Sequence, residues 1–226
     1  VRNLMQERPR AVVFDCDGTL LDTEHLWQAA REDVLARLGA APSRDLLDEV
    51  KGMHYEECGR RLAEHTGRPD QGARCARALL ERYEERAREG TRAMPGAVSL
   101  LRTLDNGRIP LAVASNCPVK VVSSGLEAVR IAAHFDALVV PGEGIRPKPA
   151  PDVYLQAVRR LGTQARHAVA VEDSEAGAAA AKEAGLRVLL VTPDPTEQGR
   201  RFVDAWTPSL ESPEARRWAI FVGNPG

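Results

Sequence analysis

The strongest restriction on the fold is an apolar run that has no near neighbour. Ala11-Val12-Val13-Phe14 is continuous, as expected of a strand covered on both faces. Comparable runs return only at Ile109–Ala114, Ala137–Val140, Ala168–Val171 and Val188–Thr192. Helical stretches such as PDVYLQAVRRLG and SEAGAAAAKEAG separate these later runs. Such alternation predicts a parallel sheet with crossover helices on both faces, an α/β class with three αβα layers. The first strand needs partners, and only the later strands can supply them.

The residues between have a different texture. EHLWQAAREDVLARLG places Leu26, Trp27, Ala30, Val34, Leu35 and Leu38 at helical spacing and stops at Gly39. EECGRRLAEHTG and ARCARALLERYEERAREG read the same way, with charged outer faces. The expected division is an α/β core of residues 1–22 and 95–226 with an all-helical insertion over 23–94. The final stretch, ESPEARRWAIFVGNPG, has no assigned place, although Trp218, Ile220 and Phe221 predict that it packs against something.

Charge excludes some partners. A net charge of −1 lacks the basic excess of a nucleic-acid or membrane-surface binder. No apolar run approaches the roughly 18 residues of a membrane span, and the first ten residues lack a leader's apolar core. Cys16, Cys58, Cys75 and Cys117 have no CxxC spacing, so free thiols are expected rather than disulfides or zinc. A monomeric cytoplasmic protein is the expectation.

In a parallel sheet, ligands bind beyond the carboxyl ends of the strands. The first such end is Asp15-Cys16-Asp17-Gly18-Thr19. Residues two apart on an extended chain point the same way, so both acids face one crevice and Cys16 the other side. Gly18 permits a sharp turn that presents an N–H to an anion. The second end, Ser115-Asn116, offers hydroxyl and amide donors suited to phosphate or to a helix cap. The third places Lys148 among Pro147, Pro149 and Pro151, where its ammonium can be aimed. The fourth, Glu172-Asp173-Ser174, is either another acidic pair for the site or a helix cap.

Each end has an ordinary structural use, but the set has a chemical one. Several carboxylates on one rim require a hard cation, and oxygen ligands suit Mg²⁺. With Mg²⁺ and Lys148 present, the rim can hold a dianionic phosphate. One acid can then attack phosphorus to give an aspartyl-phosphate, and the other can protonate the leaving oxygen and later activate water.

FDCDGTLLDTE, VASN, KPAPDVY and VEDSEAGAAAAKEAG, in this order, resemble the four motifs of the haloacid dehalogenase superfamily, over nearly the whole chain. The texture most resembles the phosphatase and β-phosphoglucomutase-like branch, whose small helical cap is inserted after the first strand. The resemblance implies a Rossmann-like core with strand order 5-4-1-2-3. It implies Asp15 as nucleophile, Asp17 as general acid/base, and Ser115 and Lys148 as phosphate ligands. Mg²⁺ would be held by Asp15, the backbone carbonyl of Asp17, and Asp173, with Glu172 directly or through water. Gly18, Thr19 and Asn116, with Trp27, Lys51, His54 and Tyr55 of the cap, are the expected contacts for a small phosphate ester. The cap would close as a lid about connections near Leu20–Thr23 and Arg92–Gly96. Two departures stand out: Cys16 replaces a bulky apolar residue and makes the site a candidate for oxidation, and Pro147 replaces a glycine.

The rival within the branch is the mutase, since Lys51-Gly52 resembles its cap motif. Trp27 stands where that mutase has a histidine, and Tyr55 where it has a phosphate-gripping arginine. The expectation is that Trp27 leaves Asp17 unrestrained, so water reaches the phospho-enzyme and hydrolysis wins. Dehalogenases and phosphonate hydrolases generally lack the acid at Asp17. A non-catalytic phosphoacceptor module is a rival from another class, but it would be about half this length with no helical insertion.

Overall fold

In the computed structural model, which describes residues 1–201 and 203–224, six parallel strands form one sheet. They are β1 (Ala11–Phe14), β2 (Leu111–Ala114), β3 (Ala137–Val139), β4 (Ala168–Glu172), β5 (Arg187–Val191) and β6 (Ala205–Thr207). Their order, β3-β2-β1-β4-β5-β6, puts the first strand centrally and contains the expected five-strand order. β6 is an addition that three residues, Ala205-Trp206-Thr207, were too few to announce by periodicity.

Side-chain alternation divides the core in two. Val12 and Phe14 face a layer that includes Leu101 and Leu104 of α5 (Ala97–Asn106) and Trp218 and Val222 of α10 (Pro213–Gly223). Ala11 and Val13 face α7 (Asp152–Arg160) and α8 (Glu175–Glu183). That second face is built largely of alanine, from Ala112, Ala114, Ala168 and Ala170 on strands to Ala178, Ala180 and Ala181 on α8, so the helix backbones lie close to the sheet. Within the unplaced final stretch, Pro213–Gly223 form α10, and residues 225–226 lie outside the described residues. Pro213 opens the helix, the Ser212 hydroxyl caps it by accepting from the Ala215 N–H at 3.0 Å, and Trp218 is fully buried.

Between β1 and α5 lie four helices: α1 (Glu24–Arg37), α2 (Arg44–Glu49), α3 (Tyr55–His65) and α4 (Gly72–Ala87). Only α2 went unread; Ser43 caps it by accepting from the Leu46 N–H. The two connections to this helical part lie side by side. The Asp22 N–H donates to the Arg92 carbonyl at 2.9 Å, and the Met94 N–H to the Leu20 carbonyl at 2.8 Å. Among the described residues, no helix is long and apolar enough to cross a membrane, and all four cysteines are free and buried.

Candidate active site

Four strand tips converge below the helical insertion. Asp15 is still tied to the sheet, its N–H donating to the Val171 carbonyl at 2.9 Å. Lys148 reaches it from the β3–α7 loop: Nζ donates to Asp15 Oδ1 at 2.5 Å and to Glu172 Oε1 at 2.6 Å. The loop holding this buried ammonium is braced twice. Asn116 accepts from the Lys148 N–H and donates to its carbonyl. Arg146 grips Asp152 through its backbone N–H and guanidinium, holding that carboxyl down to about 2. Tyr154 completes the surroundings, donating its hydroxyl to Glu172 at 2.7 Å while its ring lies 4.9 Å from the ammonium.

Glu172 is fully buried and fully used. Its second oxygen accepts from the Asp173 and Ser174 N–H groups and the Ser174 hydroxyl, while Ser174 caps α8 through the Gly177 N–H. Both uses that the sequence allows this motif are therefore present. A Cβ at Gly177 would stand 1.8 Å from the Glu172 carboxylate, and one at Gly18 would stand 2.4 Å from that of Asp173. These two glycines leave the room that the acids occupy.

Asp15, Glu172 and Asp173 bring carboxylate oxygens within 4.8 Å of one another. Burial pushes the Asp15 carboxyl well up, outweighing the lowering by Lys148, with Glu172 and Asp173 adding repulsion. Burial would depress Lys148, but Asp15 and Glu172 outweigh it and keep it an ammonium. Burial, then Glu172, raises Asp173 to about 7. A crowd of hard oxygens in which Asp15 and Asp173 resist ionisation fits a divalent cation, which would relieve the repulsion that raises these two acids.

Asp17 is held very differently, and the expectation that Trp27 leaves it unrestrained is corrected. Its Oδ1 accepts from the Thr23 hydroxyl at 2.7 Å, the Trp27 indole N–H at 3.1 Å and the Tyr83 hydroxyl at 3.3 Å. Cys117 donates its thiol to Oδ2 at 3.1 Å. The indole N–H does what an imidazole would do at this position, and the Trp27 ring stacks on Tyr83 with centroids 4.1 Å apart. Thr23 precedes α1 but spends its buried hydroxyl on Asp17 instead of capping the helix. Cys16 is also corrected as a candidate for oxidation. It is 1% exposed, and burial, with Asp17 and Asp15, pushes its thiol far above the range of a reactive thiolate.

A cavity of about 40 Å³ lies between the strand tips and the insertion. Asp15, Asp17, Ser115, Asn116, Lys148 and Asp173 line its core side. The Ser115 hydroxyl accepts from the Cys117 N–H, and the Asn116 amide also donates to the Gly52 carbonyl of the insertion, so it is already engaged. Trp27, Lys51, Met53 and Tyr55 line the other side, with Lys51 Nζ 3.9 Å from Asp173. Three expected contacts, Gly18, Thr19 and His54, are not brought to this wall. Thr19 is wholly buried with an unpartnered hydroxyl, and His54 precedes α3 with its ring against Tyr55. Among the residues the sequence reading missed are Thr23, Tyr83 and Cys117 on Asp17, Tyr154 on Glu172, and Glu24 and Arg31 on the cavity wall. Arg31 could have been found, because it interrupts the apolar face of α1 four residues after Trp27.

Residues 12–191 match the family model described as haloacid dehalogenase-like hydrolase. A probable pseudouridine-5'-phosphatase of Drosophila melanogaster is 33% identical over 192 residues, covering 81% of each chain. A phosphorylated carbohydrates phosphatase of Thermotoga maritima is 28% identical, over 90% of this chain and 94% of its own. In fold, the chain is similar to the β-phosphoglucomutase of Clostridium difficile with a TM-score of 0.82 at 21% identity, covering 94% of this chain and 97% of the other.

Proposed function

Because the chain belongs to the haloacid dehalogenase-like hydrolase family, we propose that it is a Mg²⁺-dependent phosphatase that hydrolyses a small phosphomonoester through an aspartyl-phosphate on Asp15. The observation that carries this reading is the convergence of Asp15, Asp173 and Lys148 on one cavity floor. Residues 1–22 and 95–226 form the catalytic core in this reading, and 23–94 form a lid. The cavity has room for only a few waters, so a substrate enters when the lid lifts.

Asp15, Asp173 and the Asp17 carbonyl would hold the ion, with Glu172 behind them. Mg²⁺ supplies charge neutralisation that lets a dianionic phosphate approach the acids. Lys148 and Ser115 bind the phosphoryl oxygens. An Asp15 oxygen forms a bond to phosphorus as the ester P–O bond breaks, and Asp17 gives its proton to the departing alcohol oxygen. Water then attacks the phospho-enzyme, Asp17 takes up its proton, and inorganic phosphate and the Asp15 carboxylate are released.

The four contacts on Asp17 favour a second reading, a phosphosugar mutase, since a restrained base lets the phospho-enzyme wait for a second acceptor. Against it, the Tyr55 hydroxyl is turned to Glu56 and offers no permanent cation for a second phosphate. Incubation with Mg²⁺ and a panel of phosphomonoesters is expected to release inorganic phosphate steadily. β-Glucose 1-phosphate with a trace of glucose 1,6-bisphosphate is expected to give little glucose 6-phosphate. Rapid isomerisation without phosphate release would make the mutase reading the correct one.

Metal binding should be visible without turnover. Asp173 ionises near 7 when folded and near 3.8 ordinarily, so the folded metal-free protein holds the extra proton. Its stability therefore falls as pH rises through that window, and a cation takes the proton's place at the top of it. Saturating Mg²⁺ is expected to raise the melting temperature by at least about 5 °C at pH 8 and by less than half of that at pH 5. An equal shift at both pH values would count against this ligand set.

A further inference from the structure

We propose that Glu24 and Arg31 form a paired donor–acceptor site that reads the part of the substrate beyond its phosphate, and that this part is uncharged and hydroxylated. The inference rests on the hydrolase reading above and deepens it.

Glu24, Trp27 and Arg31 lie at helical spacing on one face of α1, and all three line the cavity. Arg31 is 3% exposed, an unusual position for a guanidinium. One of its terminal nitrogens donates to Glu24 at 2.8 Å, and the Cys58 thiol of α3 lies beside it. Its Nε–H is buried and has no partner. A buried donor without an acceptor is costly, so Glu24 does not saturate this guanidinium, whose side chain lines the cavity. The Tyr154–Glu172–Lys148 group and the contacts on Asp17 involve neither Glu24 nor Arg31.

Charge decides what kind of oxygen this is. Around the cavity five carboxylates, the metal cluster with Asp17 and Glu24, oppose three cations, Lys51, Lys148 and Arg31. One divalent ion brings this balance to neutral, and the phosphate then adds its own negative charge. Arg31 is already neutralised by Glu24. A second phosphate or a carboxylate would meet Glu24, while Lys51 on the same wall already faces Asp173 at 3.9 Å. A hydroxyl both donates and accepts, so neighbouring hydroxyls can accept from Arg31 and donate to Glu24 together. Polyol and sugar monophosphates fit; phosphoglycolate and sugar bisphosphates do not.

The test compares sorbitol 6-phosphate and glucose 6-phosphate with phosphoglycolate, fructose 1,6-bisphosphate and phenyl phosphate, at saturating Mg²⁺. The better of the two hydroxylated monophosphates is expected to exceed both the carboxylated and the bisphosphate probe in kcat/KM by at least about tenfold. Glu24→Gln keeps shape but cannot accept as a carboxylate, and Arg31→Lys keeps charge but loses the planar fork. Each is expected to lower kcat/KM for the hydroxylated probe at least about tenfold more than for phenyl phosphate, mostly through KM. Melting curves taken alongside separate this from unfolding. Equal losses on both probes would reduce the pair to a structural ion bridge, and a preference for phosphoglycolate would overturn the charge argument. No release from any probe, phenyl phosphate included, would instead sink the hydrolase reading on which the pair's role depends.

Discussion

Asp15→Asn is expected to lower turnover at least about a thousandfold, a loss of roughly 4 kcal/mol of transition-state stabilisation. Asparagine keeps the size and planar shape of the side chain but lacks the negative oxygen that bonds to phosphorus. Folding should survive, because the buried Lys148 ammonium keeps Glu172 at 2.6 Å as its counter-charge. The substitution also removes one of three mutually repelling acids. Phosphate release and a melting curve on the same preparation check both halves. A variant that retains a tenth of the parent activity would refute the nucleophile assignment.

Lys148→Met is expected to damage stability as well as activity. Methionine fills similar space but leaves Asp15 and Glu172 facing one another without the ammonium that both contact. Removing one partner of a buried ion pair costs about 3–5 kcal/mol. For a chain of this size that is roughly 6–20 °C in melting temperature. The loss has a definite pH dependence. Without Lys148, the Asp15 carboxyl, already raised by burial, moves higher still, so the folded state binds more protons than the unfolded one. Stability therefore falls as pH rises above the ordinary carboxylate range, and the deficit should be deeper at pH 8 than at pH 5. Measurements in chelator isolate the effect from metal binding. A melting temperature within about 2 °C of the parent at pH 8 would show that Lys148 does not hold these acids together.

How much of this was legible depended on whether the signal was local. β1 was readable because a four-residue apolar run buried on both faces has little other use, and α3 and α4 because their apolar stripes run for several turns. The acids were readable because they follow strand ends, so the sheet itself aligns them, and Lys148 because prolines stiffen the loop that carries it beyond β3. β6 was not, since its three residues gain their conformation only by pairing with β5. Tyr83 illustrates the deeper limit. It sits on the buried stripe of α4, where an aromatic residue normally means core, and only the packing of α4 against α1 carries its hydroxyl to Asp17, 66 residues away in sequence. Trp27 was correctly singled out but misjudged. Its identity excluded an imidazole, yet its N–H supplies the same hydrogen bond.

The paired connections to the insertion have a consequence for how such a chain can be rebuilt. The chain leaves the core at Leu20–Asp22 and re-enters it at Arg92–Met94, and these two crossings are hydrogen-bonded to each other. All six strands and their order lie outside the enclosed residues. A helical module hung from two touching points can be shortened, exchanged or grafted without rethreading the sheet. What it takes along is Trp27 and Tyr83 with Glu24 and Arg31, while Asp15, Lys148, Glu172 and Asp173 stay behind. Recognition of the alcohol and transfer of the phosphoryl group would thus be separately replaceable parts of one chain, with Asp17 as the coupling that any transplanted module would have to engage anew.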